Sequence, residues 1–115
     1  MVKSVLGVNH QGLREWVIQR VSAMVMAVYS LGLIAYIVLN PELSFAEWHG
    51  FFAETWVKVA TLLFVLALAF HAWIGMWTIF TDYVKNFVVR CILNVGAILM
   101  LIACFFWAFM ILWSV

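Results

Sequence analysis

The sequence predicts an all-α membrane protein of three transmembrane helices, and three observations carry that expectation. The chain is 69% hydrophobic and 10% charged, where a soluble domain has roughly 45–50% apolar and about 25% charged residues. Charged residues are absent from Val21 to Pro41, from Val59 to Thr81 and from Cys91 to Val115. Each of those stretches has 21 residues or more, and a helix needs about 20 to cross a bilayer. Apolar surface in such excess must face lipid or another membrane subunit.

The elements follow in order. The N-terminal segment is polar, with Lys3, Ser4, Asn9, His10, Gln11, Arg14 and Glu15. A first span is expected near 17–39. It is longer than a signal-peptide core and has no obvious cleavage site, so it is expected to be retained. Asn40-Pro41 opens a loop, and Phe45 to Phe52 reads as a short amphipathic piece lying along the membrane surface. Further spans are expected near 57–80 and 89–113. Residues 1–115 form a single transmembrane domain on this reading, with no internal repeat, low-complexity tract or second domain.

Basic residues orient the spans. Lys3, Arg14 and Arg20 precede or open the first span, and Lys85 and Arg90 lie in the second loop. The first loop has only Lys58, beside Glu42, Glu47 and Glu54. The positive-inside rule therefore predicts a cytoplasmic N-terminus and second loop, and an external first loop and C-terminus. Trp16, Trp48, Trp56 and Trp113 fall near the expected interfaces, as belt residues do. A net charge of +1 gives no electrostatic footprint for nucleic acid. Cys91 and Cys104 are 13 positions apart on one apolar run, about 20 Å along a helix and far beyond disulfide reach.

His71 is the main chemical signal. It lies near the middle of the second uncharged run, where an ionisable side chain is costly and is paired or functional. Ala67 and Gly75, at i−4 and i+4, are small and hollow the same helix face. A flat macrocycle fits such a face, with a ring nitrogen reaching its metal. The competing reading is a histidine bonding a neighbouring helix, among small residues that allow close packing. His10 and His49 are expected at opposite aqueous edges, so a haem with two histidine ligands would take its second ligand from another polypeptide.

Three further residues have two readings each. Arg20 opens the first span, about half a membrane thickness from the level of His71, and heads a stripe with Ala23, Ala27 and Ser30. It would pair with haem propionates or snorkel to lipid phosphates. Asp82 ends the second span, where a carboxylate opposes the helix dipole and calls for a cation, or is simply solvated. Arg14, Arg20, Lys85 and a partner-chain arginine are the candidates. Tyr83 offers a phenol where a quinone headgroup would sit, or is an ordinary belt tyrosine. The Trp73–Trp77 stretch reads as packing or lipid-facing surface, and Asn94 as a polar contact between helices.

Taken together, these residues resemble the small hydrophobic anchor of succinate dehydrogenase, the D-type subunit of proteobacteria. The resemblance is carried by His71-Ala72-Trp73-Ile74-Gly75-Met76-Trp77 and Thr81-Asp82-Tyr83-Val84-Lys85, with Arg20 and Gly50-Phe51-Phe52-Ala53 in support. It implies half of a heterodimeric helical bundle that shares one haem b with a second membrane anchor subunit, one histidine coming from each. It also implies docking of a soluble iron–sulfur subunit and, through it, a flavoprotein that oxidises succinate. Electrons would pass to ubiquinone on the cytoplasmic side of a bacterial inner membrane. His71 matches the family's haem ligand, Tyr83 its quinone-bonding tyrosine, Asp82 the adjacent acid and Arg20 a basic residue near the propionates. The first dozen residues depart from the enterobacterial pattern, so no role carries over there. The chain itself is not expected to be catalytic.

Rival readings are a haem-free quinone-binding anchor as in fumarate reductases, a small oligomeric transporter, and a purely structural assembly subunit. The mid-span histidine opposes the first. The scarcity of polar residues in the spans opposes the second.

Overall fold

The computed structural model describes residues 11–115. Lys3 and His10, named above, lie outside them. Four helices follow one another: α1 (Gln11–Leu39), α2 (Phe45–Ala53), α3 (Thr55–Tyr83) and α4 (Phe87–Trp113). Three are long and apolar enough to cross a membrane, and α2 is the short piece expected in the first loop. The long helices have 29, 29 and 27 residues, or roughly 40 Å each at 1.5 Å per residue.

Local chemistry sets the breaks. At the end of α1 the Asn40 side chain donates to the Tyr36 carbonyl at 2.9 Å, and Pro41 follows. Ser44 caps α2: its Oγ accepts from the Glu47 N–H at 3.2 Å and donates to Glu47 Oε1 at 3.1 Å. This serine–glutamate spacing is the capping signature of a helix start. One extended residue, Glu54, separates α2 from α3. The second loop is only Val84 to Asn86, and the Asn86 side chain caps α4 by accepting from Val88 N–H and Val89 N–H.

The first helix is longer than the span expected within it. Helix α1 begins at Gln11 rather than near 17 and carries Arg14, Glu15 and Arg20 within it. Intrahelical hydrogen bonds do not stop at a charge; only the bilayer discriminates there. Charge spacing therefore locates a boundary of the apolar run, not of the helix.

α3 is the middle element, packed against both α1 and α4, with α2 folded against it. The described structure measures 57 × 30 × 22 Å with a radius of gyration of 18.1 Å, against about 13 Å for a compact globule of this length. Its apolar core is small. Among the described residues the buried hydrophobic side chains are Val57, Ala67, Ala97 and Leu112. Large side chains such as Met24, Val28, Leu99 and Met110 stand in the open. Lipid tails are as apolar as leucine, so these helices associate through close packing and interhelical hydrogen bonds.

Candidate functional site

Two hydrogen bonds tie α1 to α3. Tyr29 and Thr61 share one, with their hydroxyl oxygens 2.7 Å apart, and the Tyr29 ring stacks on Phe64 at 4.6 Å. The other joins Ser22 Oγ to His71 Nδ1 at 3.2 Å. Ser22 and Tyr29 are seven positions apart, about two helical turns, and so share a face. That face is α1's contact with α3. Of the stripe proposed from sequence, Arg20 and Ala27 are exposed, and Ala23 and Ser30 are half-buried.

His71 occupies the middle of α3 and is half-buried. Its Nδ1 faces the buried Ser22, while Nε2 has no hydrogen-bond partner among the described residues. Of the two small residues flanking it, Ala67 is buried and Gly75 is open: a Cβ built there would meet nothing within 4 Å. The same open space is found at the other described glycines, while Ala67 lines a groove with Ser22 and Val25 of α1. Both readings of His71 survive in part. One ring nitrogen bonds a neighbouring helix, and the other remains available.

Arg20 lies closer to this level than charge spacing implied. It is two residues from Ser22, about 3 Å along the axis, rather than half a membrane thickness from His71. The two side chains diverge by about 200° around the helix, so Arg20 is exposed on the opposite side of α1. Its guanidinium lies 5.3 Å from the centre of the Trp16 ring, one turn back toward the N-terminus. That is the posture of a side chain reaching along its own helix toward a membrane surface.

Asp82 and Tyr83 form the last turn of α3, and both are exposed. Neither makes a side-chain hydrogen bond or ion pair among the described residues, and none of Arg14, Arg20 and Lys85 forms an ion pair with Asp82. Tyr83 is 12 positions from His71, about 18 Å along the axis. Beside this end, Trp77 and Thr81 of α3 and Arg90, Cys91 and Asn94 of α4 line a groove of about 390 Å³. Asn94 makes no interhelical hydrogen bond among the described residues, and its side-chain oxygen is buried without a partner among them. The Gln19 side-chain oxygen, one turn before Ser22, is likewise buried and unpartnered. Cys91 and Cys104 are free.

Ser22 is the residue the sequence reading missed. The only signal was a hydroxyl inside an uncharged run, and serines in such runs commonly bond their own helix backbone. Ser22 does so too, donating to the Gln19 carbonyl at 2.9 Å.

Three long apolar helices with little core of their own, and a polar contact at the centre of the middle one, define a small multi-pass helical membrane protein. Residues 5–112 match the model of the succinate dehydrogenase/fumarate reductase transmembrane subunit, and the chain belongs to that family. It is 38% identical over 105 residues to the succinate dehydrogenase hydrophobic membrane anchor subunit of Coxiella burnetii (strain RSA 493 / Nine Mile phase I), covering 91% of each chain. The likeness to a membrane anchor subunit of succinate dehydrogenase, expected from residues 71–85, is borne out.

Proposed function

We propose that this chain anchors a succinate:ubiquinone oxidoreductase in the bacterial inner membrane, holds haem b through His71 and helps form the ubiquinone site through Tyr83. The observation that carries the haem assignment is the His71 ring itself. It stands mid-helix, with Nδ1 held by Ser22 and Nε2 without a partner among the described residues, beside the open space at Gly75. Among the described residues no three histidine, cysteine or acidic side chains gather. Iron at His71 would accordingly be completed by the macrocycle nitrogens and a histidine of a second membrane subunit. The exposed apolar faces of α1 and α4 support such a partner. When bound, haem supplies one-electron redox chemistry, and the residues here supply position and electrostatics.

The chain is not catalytic alone. Its Coxiella relative is named as an anchor of succinate dehydrogenase, which supports docking of the iron–sulfur and flavoprotein subunits. The basic second loop and the N-terminal segment face the cytoplasm in this reading, and the C-terminus faces the periplasm. Tyr83 then lies where an iron–sulfur subunit docks. Its phenol donates to a quinone carbonyl, and exposed Asp82 adjusts the local charge. Arg20 is the candidate for the propionates, its exposed guanidinium being open to a group outside the chain.

The test is the reduced-minus-oxidised spectrum of the purified complex. A b-type band that is lost or altered in His71→Tyr supports the assignment. A complex with no such band leaves the haem-free quinone anchor as the better reading.

A further inference from the structure

We infer that Ser22 is a positioning residue for His71, holding the imidazole in the tautomer with Nδ1 protonated and Nε2 free for iron; this rests on the haem reading above. Ser22 is 5% exposed and is the one buried polar residue among those described. In a chain with so little core, burying a hydroxyl at the middle of a helix pair requires that it be satisfied. It is satisfied twice, by the Gln19 carbonyl at 2.9 Å and by His71 Nδ1 at 3.2 Å.

The direction of the second bond follows from counting protons. A serine hydroxyl has one proton to donate and two lone pairs to accept with. The Gln19 carbonyl oxygen can only accept, so the Ser22 proton is directed to it. Ser22 Oγ then accepts from His71 Nδ1–H. A neutral imidazole has one N–H, so a proton on Nδ1 leaves a lone pair on Nε2. The result is a relay, His71 Nδ1–H to Ser22 Oγ–H to the Gln19 carbonyl, that ends on the backbone of α1. The opposite arrangement, with Ser22 donating to Nδ1, would place the proton on Nε2 and block metal binding there.

Two consequences concern the metal. The bond fixes the rotation of the ring, because Nδ1 must point at α1. It also makes the ring a stronger electron donor through Nε2, because an N–H donating a hydrogen bond gives its ring more electron density, and bonds in series polarise one another. A stronger electron donor favours ferric over ferrous iron. Ser22 therefore holds the haem midpoint potential below the value an unsupported His71 would give.

The experiment uses the assembled four-subunit complex with Ser22→Ala, Ser22→Thr and, as a reference, His71→Tyr. Haem content, the potential from spectroelectrochemical titration and the low-temperature EPR signal of ferric haem are read for each. Ser22→Ala is expected to raise the potential and shift the EPR signal, and Ser22→Thr, which keeps the hydroxyl, to stay near wild type. Loss of haem from assembled Ser22→Ala, with retention in Ser22→Thr, supports the same role. A haem-loaded Ser22→Ala complex with wild-type potential and EPR signal overturns it, as does a Ser22→Thr shift as large as that of alanine. If Ser22→Ala fails to assemble, Ser22→Cys keeps the volume with a weaker acceptor; the same upward shift supports the role and wild-type values overturn it. Absence of a haem band from the wild-type complex, or a normal band in His71→Tyr, would instead remove the haem reading itself.

Discussion

The two ends of the helix bundle are built differently. At the end carrying α2, the chain closes on itself. Tyr36 of α1 stacks on Phe51 at 4.1 Å, Phe51 meets Phe52 and Trp56 edge-on, and Val57 and Leu112 are buried. Lys58, the single basic residue there, donates to the Val115 carbonyl at 3.2 Å and lies over the Trp113 ring. At the other end Asp82, Tyr83, Lys85 and Phe87 are all exposed, and the Asn94 side-chain oxygen is buried without a partner among the described residues. At the first end aromatic rings and a lysine contact one another across elements, although Phe45 and Trp56 are exposed there. At the other, Asp82 and Tyr83 make no side-chain contact of that kind among the described residues, and it is there that we propose a soluble subunit and a quinone to bind. His71 lies between, with one ring nitrogen bonded to Ser22 and the other without a partner among the described residues.

Four substitutions test that division, beginning with the largest effect. His71→Tyr is expected to abolish or strongly alter the b-type haem band, while succinate oxidation with an artificial acceptor persists in complexes that assemble. An unchanged spectrum would show that the free ring nitrogen is not a ligand. Tyr83→Phe keeps the ring and removes one donor. A neutral hydrogen bond contributes about 0.5–1.5 kcal/mol, so quinone reduction should fall roughly two- to tenfold, with artificial-acceptor activity and haem content retained. Normal quinone kinetics would return Tyr83 to the role of an interfacial belt residue.

At the closed end, Phe51→Ala removes a ring stacked on Tyr36 and touching Phe52 and Trp56. Aromatic pairs contribute about 0.5–1.5 kcal/mol beyond area burial. The solubilised complex should therefore unfold at lower temperature, with the quinone KM and haem spectrum unchanged. If Phe51→Ala slowed quinone reduction as much as Tyr83→Phe does, the two ends would not be separable. The smallest effect is expected from Tyr29→Phe, which deletes the bond to Thr61 and keeps the stack on Phe64. Interhelical bonds in membranes average about 0.6 kcal/mol, so a small loss of thermal stability with an unchanged haem potential is the expected outcome. A potential shift comparable to that of Ser22→Ala would mean that helix spacing, not the serine hydroxyl, governs the ring.

The amino-acid sequence by itself determined the three apolar helices, the short α2 and the candidate histidine. Each of these is local. Uncharged runs longer than 20 residues must span a membrane or be buried, proline and capping side chains stop helices where they stand, and a histidine at mid-span is costly wherever its partner lies. The register between helices was decided only by the tertiary structure. Ser22 and His71 are 49 positions apart, and no spacing within either helix connects them. The same register moved Arg20 toward the His71 level: a boundary drawn at the last charge marks where apolar sequence begins, whereas depth depends on how far α1 slides along α3. Ser22 and Tyr29 set that slide, because two short polar contacts in an apolar medium can be satisfied together in few alignments.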